Sequence, residues 1–153
     1  MFVEKGNIEI SSSLCLICSL KKENMDLIFK EEFYLIKQAC ITVRKALGNG
    51  FLEKVYENAL LIELKRLGLA VVSQKELLVK YRGQDVGQYF ADIVVNDKII
   101  IELKTVNKIV SIHRMQVLNY LKATGYELGI LINFPNDTTG FDVERIPNFI
   151  EGK

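Results

Sequence analysis

Asp92, Glu102 and Lys104 stand within one short, strongly apolar stretch, residues 91–104 (ADIVVNDKIIIELK). Its two β-branched runs break at Asn96-Asp97, the pattern of a β-hairpin. Side chains alternate along a strand, so Glu102 and Lys104 point one way while Ile99, Ile101 and Leu103 point the other. Isoleucine and valine on both faces predict burial, and a buried charge needs a partner or a metal. Metal-assisted phosphodiester hydrolysis asks for this set: hard oxygen ligands for Mg²⁺ or Mn²⁺, a cation beside them, and a positioned water. Asp92 and Glu102 supply oxygens, the backbone carbonyl between Glu102 and Lys104 a further one, and Lys104 the charge that orients water or offsets the transition state. On an exposed hairpin the same D-x9-E-x-K spacing would be a solvated Glu–Lys pair worth under about 1 kcal/mol. The apolar run 99–103 argues against that.

Strand register decides whether the two acids can meet. A two-residue Asn96-Asp97 turn would pair Val95 with Lys98, set Asp92 opposite Ile101, and leave the acids on opposite faces. A three-residue loop, Asn96-Asp97-Lys98, pairs Val95 with Ile99 and brings Asp92 opposite Glu102. The metal site therefore predicts the odd-length connection, or a bulge to the same effect.

Further polar residues fall nearby. His113, Gln116 and Tyr120 occur at i, i+3 and i+7, on one face of an expected helix. No acid occurs between Leu103 and Tyr126, whereas Lys104, Lys108, Arg114 and Lys122 are cationic. This basic stretch in a near-neutral chain would suit phosphate contacts from Lys108, His113, Arg114 and Lys122. Glu53 edges the apolar face of a second helix. It reads equally as a site residue or as a helix-capping glutamate reaching back to Gly50.

Around these residues the periodicity sets out the elements. Phe29, Phe33, Ile36, Cys40, Val43 and Leu47 line one face of a first helix, with Glu31, Glu32, Lys37, Arg44 and Lys45 expected in solvent. Gly48-Asn49-Gly50 ends it. A second helix is expected over 51–67 with Leu52, Tyr56, Leu60, Leu64 and Leu67 as its stripe. Short strands at 70–72 and 77–81, separated by polar 73–76, precede a turn at 82–85 and the hairpin arms 86–95 and 98–105. A third helix, capped by Ser111, runs to Thr124 before Gly125. Residues 128–134 form a wholly apolar buried strand, and 141–150 a final edge strand. The order α-α-β-β-β-α-β describes one α/β domain with a mixed sheet.

With 153 residues, 49% of them apolar, and a net charge of +1, the chain supports one domain and gives no global electrostatic case for nucleic acid. Three cysteines argue for a reducing, cytoplasmic setting. Cys15-x-x-Cys18 lacks two further zinc ligands and reads as two small apolar residues. No apolar run is long enough to span a membrane, and residues 8–20 lack a signal-peptide cleavage site. Residues 1–24 are expected to form a loosely packed extension and 25–153 the domain.

Several ordered motifs carry a resemblance. Gly50-Phe51-Leu52-Glu53-Lys54-Val55-Tyr56 is an instance of GxxExxY. It is followed by Asn58-Ala59-Leu60, Glu63-Leu64, Tyr81-Arg82-Gly83, Ala91-Asp92, Ile101-Glu102-Leu103-Lys104, Gln116 to Leu121 and Gly129 to Phe134. Over residues 27–147 the chain resembles the GxxExxY protein family, itself similar to the PD-(D/E)xK nuclease superfamily. The resemblance implies a restriction-endonuclease-like mixed sheet flanked by helices and Mg²⁺- or Mn²⁺-dependent cleavage, with DNA as partner. It places Asp92, Glu102 and Glu53 at the metal, Lys104 in the ExK position, and Gln116 and Tyr120 in a QxxxY pattern. Ala91 stands where the superfamily name has proline. A non-catalytic nucleic-acid-binding or assembly module with the same fold is the alternative. A homodimer or a place in a larger complex stays open.

Overall fold

The computed structural model describes residues 28–148. The chain divides into two compact units, residues 1–30 and 31–153, and the second carries the site. The expectations for residues 1–24, for Cys15 and Cys18, and for the end of the last strand at 149–150 lie outside the described residues.

Helix α1 (Lys30–Leu47) buries Ile36, Ala39, Cys40 and Val43 along its expected face. It ends where Gly48, at φ 70°, donates its N–H to the Arg44 carbonyl at 2.9 Å. Arg44 corrects its assignment to solvent, since only 5% of it is exposed. Its guanidinium lies under the 135–139 loop, donating to the carbonyls of Pro135 (2.6 Å), Thr138 and Thr139 (3.2 Å), and to Gly48 O (3.0 Å). A loop without sheet partners needs donors for its carbonyls, and a five-donor fork supplies them. Cys40 is fully buried, which pushes its thiol up to about 12 and suits the plain apolar reading.

Helix α2 (Glu53–Arg66) buries Tyr56, Leu60 and Leu64 completely. Leu52 is its N-cap, and is 79% exposed rather than part of the stripe. Tyr56 stacks on Phe134 with centroids 4.6 Å apart.

The sheet has five strands in sequence order: β1 (Val71–Tyr81), β2 (Gln84–Val95), β3 (Ile99–Lys104), β4 (Leu128–Asn133) and β5 (Asp142–Pro147). All neighbours are antiparallel except β3 and β4, which are parallel and joined through α3 (Ser111–Thr124). The expected break at 73–76 does not occur. β1 is an edge strand largely exposed to solvent, so polar residues there carry no burial penalty and the strand runs through. The turn to β2 is tighter than four residues. It uses only Arg82 and Gly83, both at positive φ, as a two-residue hairpin requires. Val110, not Ser111, caps α3, and Gly125 closes it at φ 75° with its N–H on Leu121 O.

β3 and β4 are the core of the sheet, buried residue for residue up to Leu103 and Asn133. α3 covers one cluster made of Leu77, Ala91, Val94, Ile100, Val117, Leu121 and others. Ala91 and Val94 lie three apart, and a regular pleat would send them to opposite faces. The interruption falls at Asp92 and at Gln74, which stay outside the ladder between the pairs Ser73–Ile93 and Lys75–Ala91. Gln74 has φ 49°, a conformation that costs a non-glycine residue energy and gathers at sites.

Candidate active site at the head of the central hairpin

The β2–β3 loop has the odd length that the two acids require. Val95 pairs with Ile99, Val94 with Ile100 and Ile93 with Ile101. Asn96 and Asp97 turn at φ 50° and 53°, and Lys98 N–H donates to Val95 O at 3.0 Å. Where the ladder ends, the side chain of Asp92 takes over. Its Oδ2 accepts the Leu103 backbone N–H at 2.8 Å, so Asp92 lies across from the Glu102–Lys104 segment.

Glu102 is only 3% exposed. Its Oε1 accepts Lys104 Nζ at 2.7 Å, while Oε2 is buried with no hydrogen-bond partner. An orphaned buried carboxylate oxygen is costly and calls for an explanation. Burial, with Asp92 and Glu53 adding repulsion against the pull of Lys104, raises the Glu102 carboxyl to about 7. Burial also raises Asp92, opposed by the Leu103 N–H and reinforced by Glu57. Lys104 is held above its ordinary value: burial lowers it, but Glu102, Glu53 and Asp92 together outweigh that.

Glu53 joins these groups. It is the first residue of α2, and Leu52 behind it receives no side-chain cap, which removes the capping reading. Burial raises its carboxyl, Lys104 draws it down, and Asp92 and Glu57 raise it again. On α3, Gln116 Nε2 donates to the Tyr120 hydroxyl at 2.8 Å. Burial raises that hydroxyl, with Glu102 and Asp92 adding to the effect. Helices on either side of the hairpin thus deliver Glu53 and the Gln116–Tyr120 pair to the same acids.

Two residues of this network escaped the sequence reading. Glu57, one turn after Glu53, is 3% exposed and binds Lys54 Nζ at 2.6 Å and Gln74 Nε2 at 3.1 and 3.2 Å. Gln74 reaches Asp92 Oδ1 at 3.4 Å, tying α2 to the hairpin. The i, i+4 spacing of Glu53 and Glu57 was the signal for the first. Nothing local distinguished Gln74 within the polar residues 73–76, which read as a break between strands.

The basic stretch does not form one patch. Arg114 Nε pairs with both Glu144 oxygens at 2.7 and 2.9 Å, an acid that the fold brings from β5. Lys108 lies beside that pair, whereas Lys122 borders a different groove with Lys80 and Tyr89. His113 Nδ1 accepts the Val110 N–H at 3.2 Å and so closes the start of α3.

This sheet, with paired acids and a lysine at the head of its central hairpin, has the restriction-endonuclease-like architecture. A sequence model of the PD-(D/E)XK nuclease superfamily matches residues 30–146, and the chain belongs to that superfamily. No curated protein matches it. Among solved structures it is similar to the crystal structure of SSO0001, at 22% identity and a TM-score of 0.45, covering 61% of this chain and 54% of that one. It is also similar to an alkaline exonuclease (LHK-Exo) from Laribacter hongkongensis, at 15% identity and a TM-score of 0.47, covering 62% and 55%. The match therefore spans about half the length of either structure. Among the described residues no helix is long and apolar enough to cross a membrane.

Proposed function

We propose that this domain is a divalent-metal-dependent nuclease that hydrolyses phosphodiester bonds in DNA. The observation that carries the reading is the juxtaposition of Asp92, Glu102 and Lys104, with Glu102 Oε2 buried and unpartnered. The donor set suits Mg²⁺ or Mn²⁺: hard carboxylate oxygens from Asp92 and Glu102, Glu53 at the margin, and the Leu103 carbonyl between the ExK residues. Among the described residues no three acids, histidines or cysteines close a shell alone. Mg²⁺ commonly uses one or two carboxylates and fills the rest with water and substrate phosphate, so the set fits. A bound cation would activate water and polarise the phosphoryl oxygen.

The chain's own groups do the remainder. Lys104, held charged by Glu102, places an ammonium where negative charge grows during attack on phosphorus. The Leu103 N–H and Gln74 amide fix the Asp92 carboxylate from both oxygens. Gln116 holds the Tyr120 hydroxyl, which is positioned to orient substrate beside the acids. The narrower GxxExxY assignment, with Glu53 and Gln116–Tyr120 as working parts, belongs to the same proposal. The test is cleavage of labelled DNA with Mg²⁺ or Mn²⁺ and without it. A pure protein that cuts neither single- nor double-stranded DNA with either ion overturns the reading.

The second reading, a binding or assembly module that retains the fold, draws on the engagement of Glu102 Oε1 by Lys104 and of Asp92 by Leu103. Titration of Mn²⁺ separates the two, because a module without affinity at Asp92 and Glu102 is no nuclease.

A further inference from the structure

Beside the acids, the face of α3 that bears Gln116 and Tyr120 opens into a cleft of about 290 Å³. Its walls are aromatic and aliphatic: Tyr89 from β2 is 49% exposed, Ile112 is 68% exposed and Met115 44%. The Tyr89 and Tyr120 rings lie 5.7 Å apart, tilted by 50°, so Tyr89 offers an open ring face next to the site. Past Tyr89 and Asn119 the cleft continues into a shallow groove bordered by Lys80 and Lys122. Lys80 is paired with Asp85, but Lys122 has no ion-pair partner among the described residues.

We infer that this cleft and groove form a track for a single DNA strand, one base stacking on Tyr89 and the backbone passing Lys122 on its way to the acids. The inference rests on the nuclease reading of the acidic site and names the form of substrate it takes. A base inside a duplex hides both its faces, and a cleft of this size admits a lifted base but no double helix. Aromatic platforms interleaved with cations recognise strands in that form, without reading sequence. The charge is complementary as well, with the Lys122 ammonium, unpaired among the described residues, lying along the path beyond the aromatic step.

Fluorescence polarisation on the full chain in EDTA, with labelled oligothymidine and a matched blunt duplex, tests the track. The single strand is expected to bind at least about tenfold tighter. Tyr89→Ala should weaken it roughly ten- to hundredfold while leaving duplex binding unchanged. Tyr89→Phe should retain binding, as should Tyr81→Ala, a more exposed aromatic off the groove. Lys122→Ala should lower the salt slope of single-strand binding by about 0.7. Equal affinity for the two probes, or wild-type binding by a folded Tyr89→Ala protein, overturns the track. Parallel cleavage assays with Mn²⁺ keep the two readings apart. Duplex cutting without strand preference removes the track alone, and strand binding without cutting removes the nuclease alone.

Discussion

The Asp92 carboxylate accepts the backbone N–H of Leu103 at 2.8 Å, a side chain standing in for the ladder partner that β2 no longer provides. One acid of the site is thus anchored to the peptide that separates Glu102 from Lys104. Asp92→Ala and Lys104→Ala should each reduce Mn²⁺-dependent cleavage at least about 10²-fold. Both are half-buried at the margin of the core, so circular dichroism should show the fold retained. Cleavage within a few-fold of wild type in either variant would remove these residues from the chemistry.

Acidity offers a second check. The Glu102 carboxyl, ordinarily near 4.5, sits at about 7, and Asp92 and Glu53 are shifted in the same direction. Between those two values the folded chain holds a proton that the unfolded chain has released, so stability falls as pH rises through the window. In EDTA the melting temperature should drop as the pH rises from about 4.5 to about 7, and Glu102→Gln should flatten the slope. A metal must displace that proton, so Mn²⁺ should raise the melting temperature more at pH 8 than at pH 6. A metal response that is equal at both would detach the cation from Glu102.

Arg44 predicts a structural loss. Its guanidinium serves carbonyls of Gly48, Pro135, Thr138 and Thr139, and Nη1 reaches the Tyr56 hydroxyl at 3.3 Å. Arg44→Ala leaves the buried Pro135 carbonyl and Tyr56 hydroxyl without this donor, at about 1–3 kcal/mol for each group that water does not reach, whereas water can replace it at the exposed Gly48, Thr138 and Thr139. Urea unfolding should show a loss of at least about 2 kcal/mol, and Arg44→Lys should recover little of it, since an ammonium cannot copy the fork. A loss under about 1 kcal/mol would contradict the bonding.

At Gly129, β4 lies close against α3. A methyl group there would collide with Val117 and crowd Leu121. Gly129→Ala should cost roughly 1–3 kcal/mol by overpacking, and Val117→Ala in the same chain should restore part of it. Strict additivity in denaturant titrations would argue against the contact.

The helices and the hairpin were legible because their signals are local: apolar spacing of three and four, glycines at helix ends, and β-branched runs around Asn96-Asp97. Even the loop length followed from asking which register lets Asp92 face Glu102. What stayed hidden was set by distant neighbours. Arg44 looked solvated until the 135–139 loop supplied carbonyls for it to bind. The acid-free stretch before Tyr126 looked like a cationic patch until β5 delivered Glu144 to Arg114. Polar residues 73–76 looked like a break because edge position, which excuses them from burial, is not written in the strand itself. Gln74 gains meaning only when the fold sets it between Glu57 and Asp92.

The loop of Asn96, Asp97 and Lys98 lies at the far end of the strands from the acids, yet it sets their phase. Removing one residue there would rotate all of β3 by half a pleat relative to Asp92, turning Glu102 and Lys104 away together. The turn works as a mechanical key, able to disable the site without changing its charge or any residue in it.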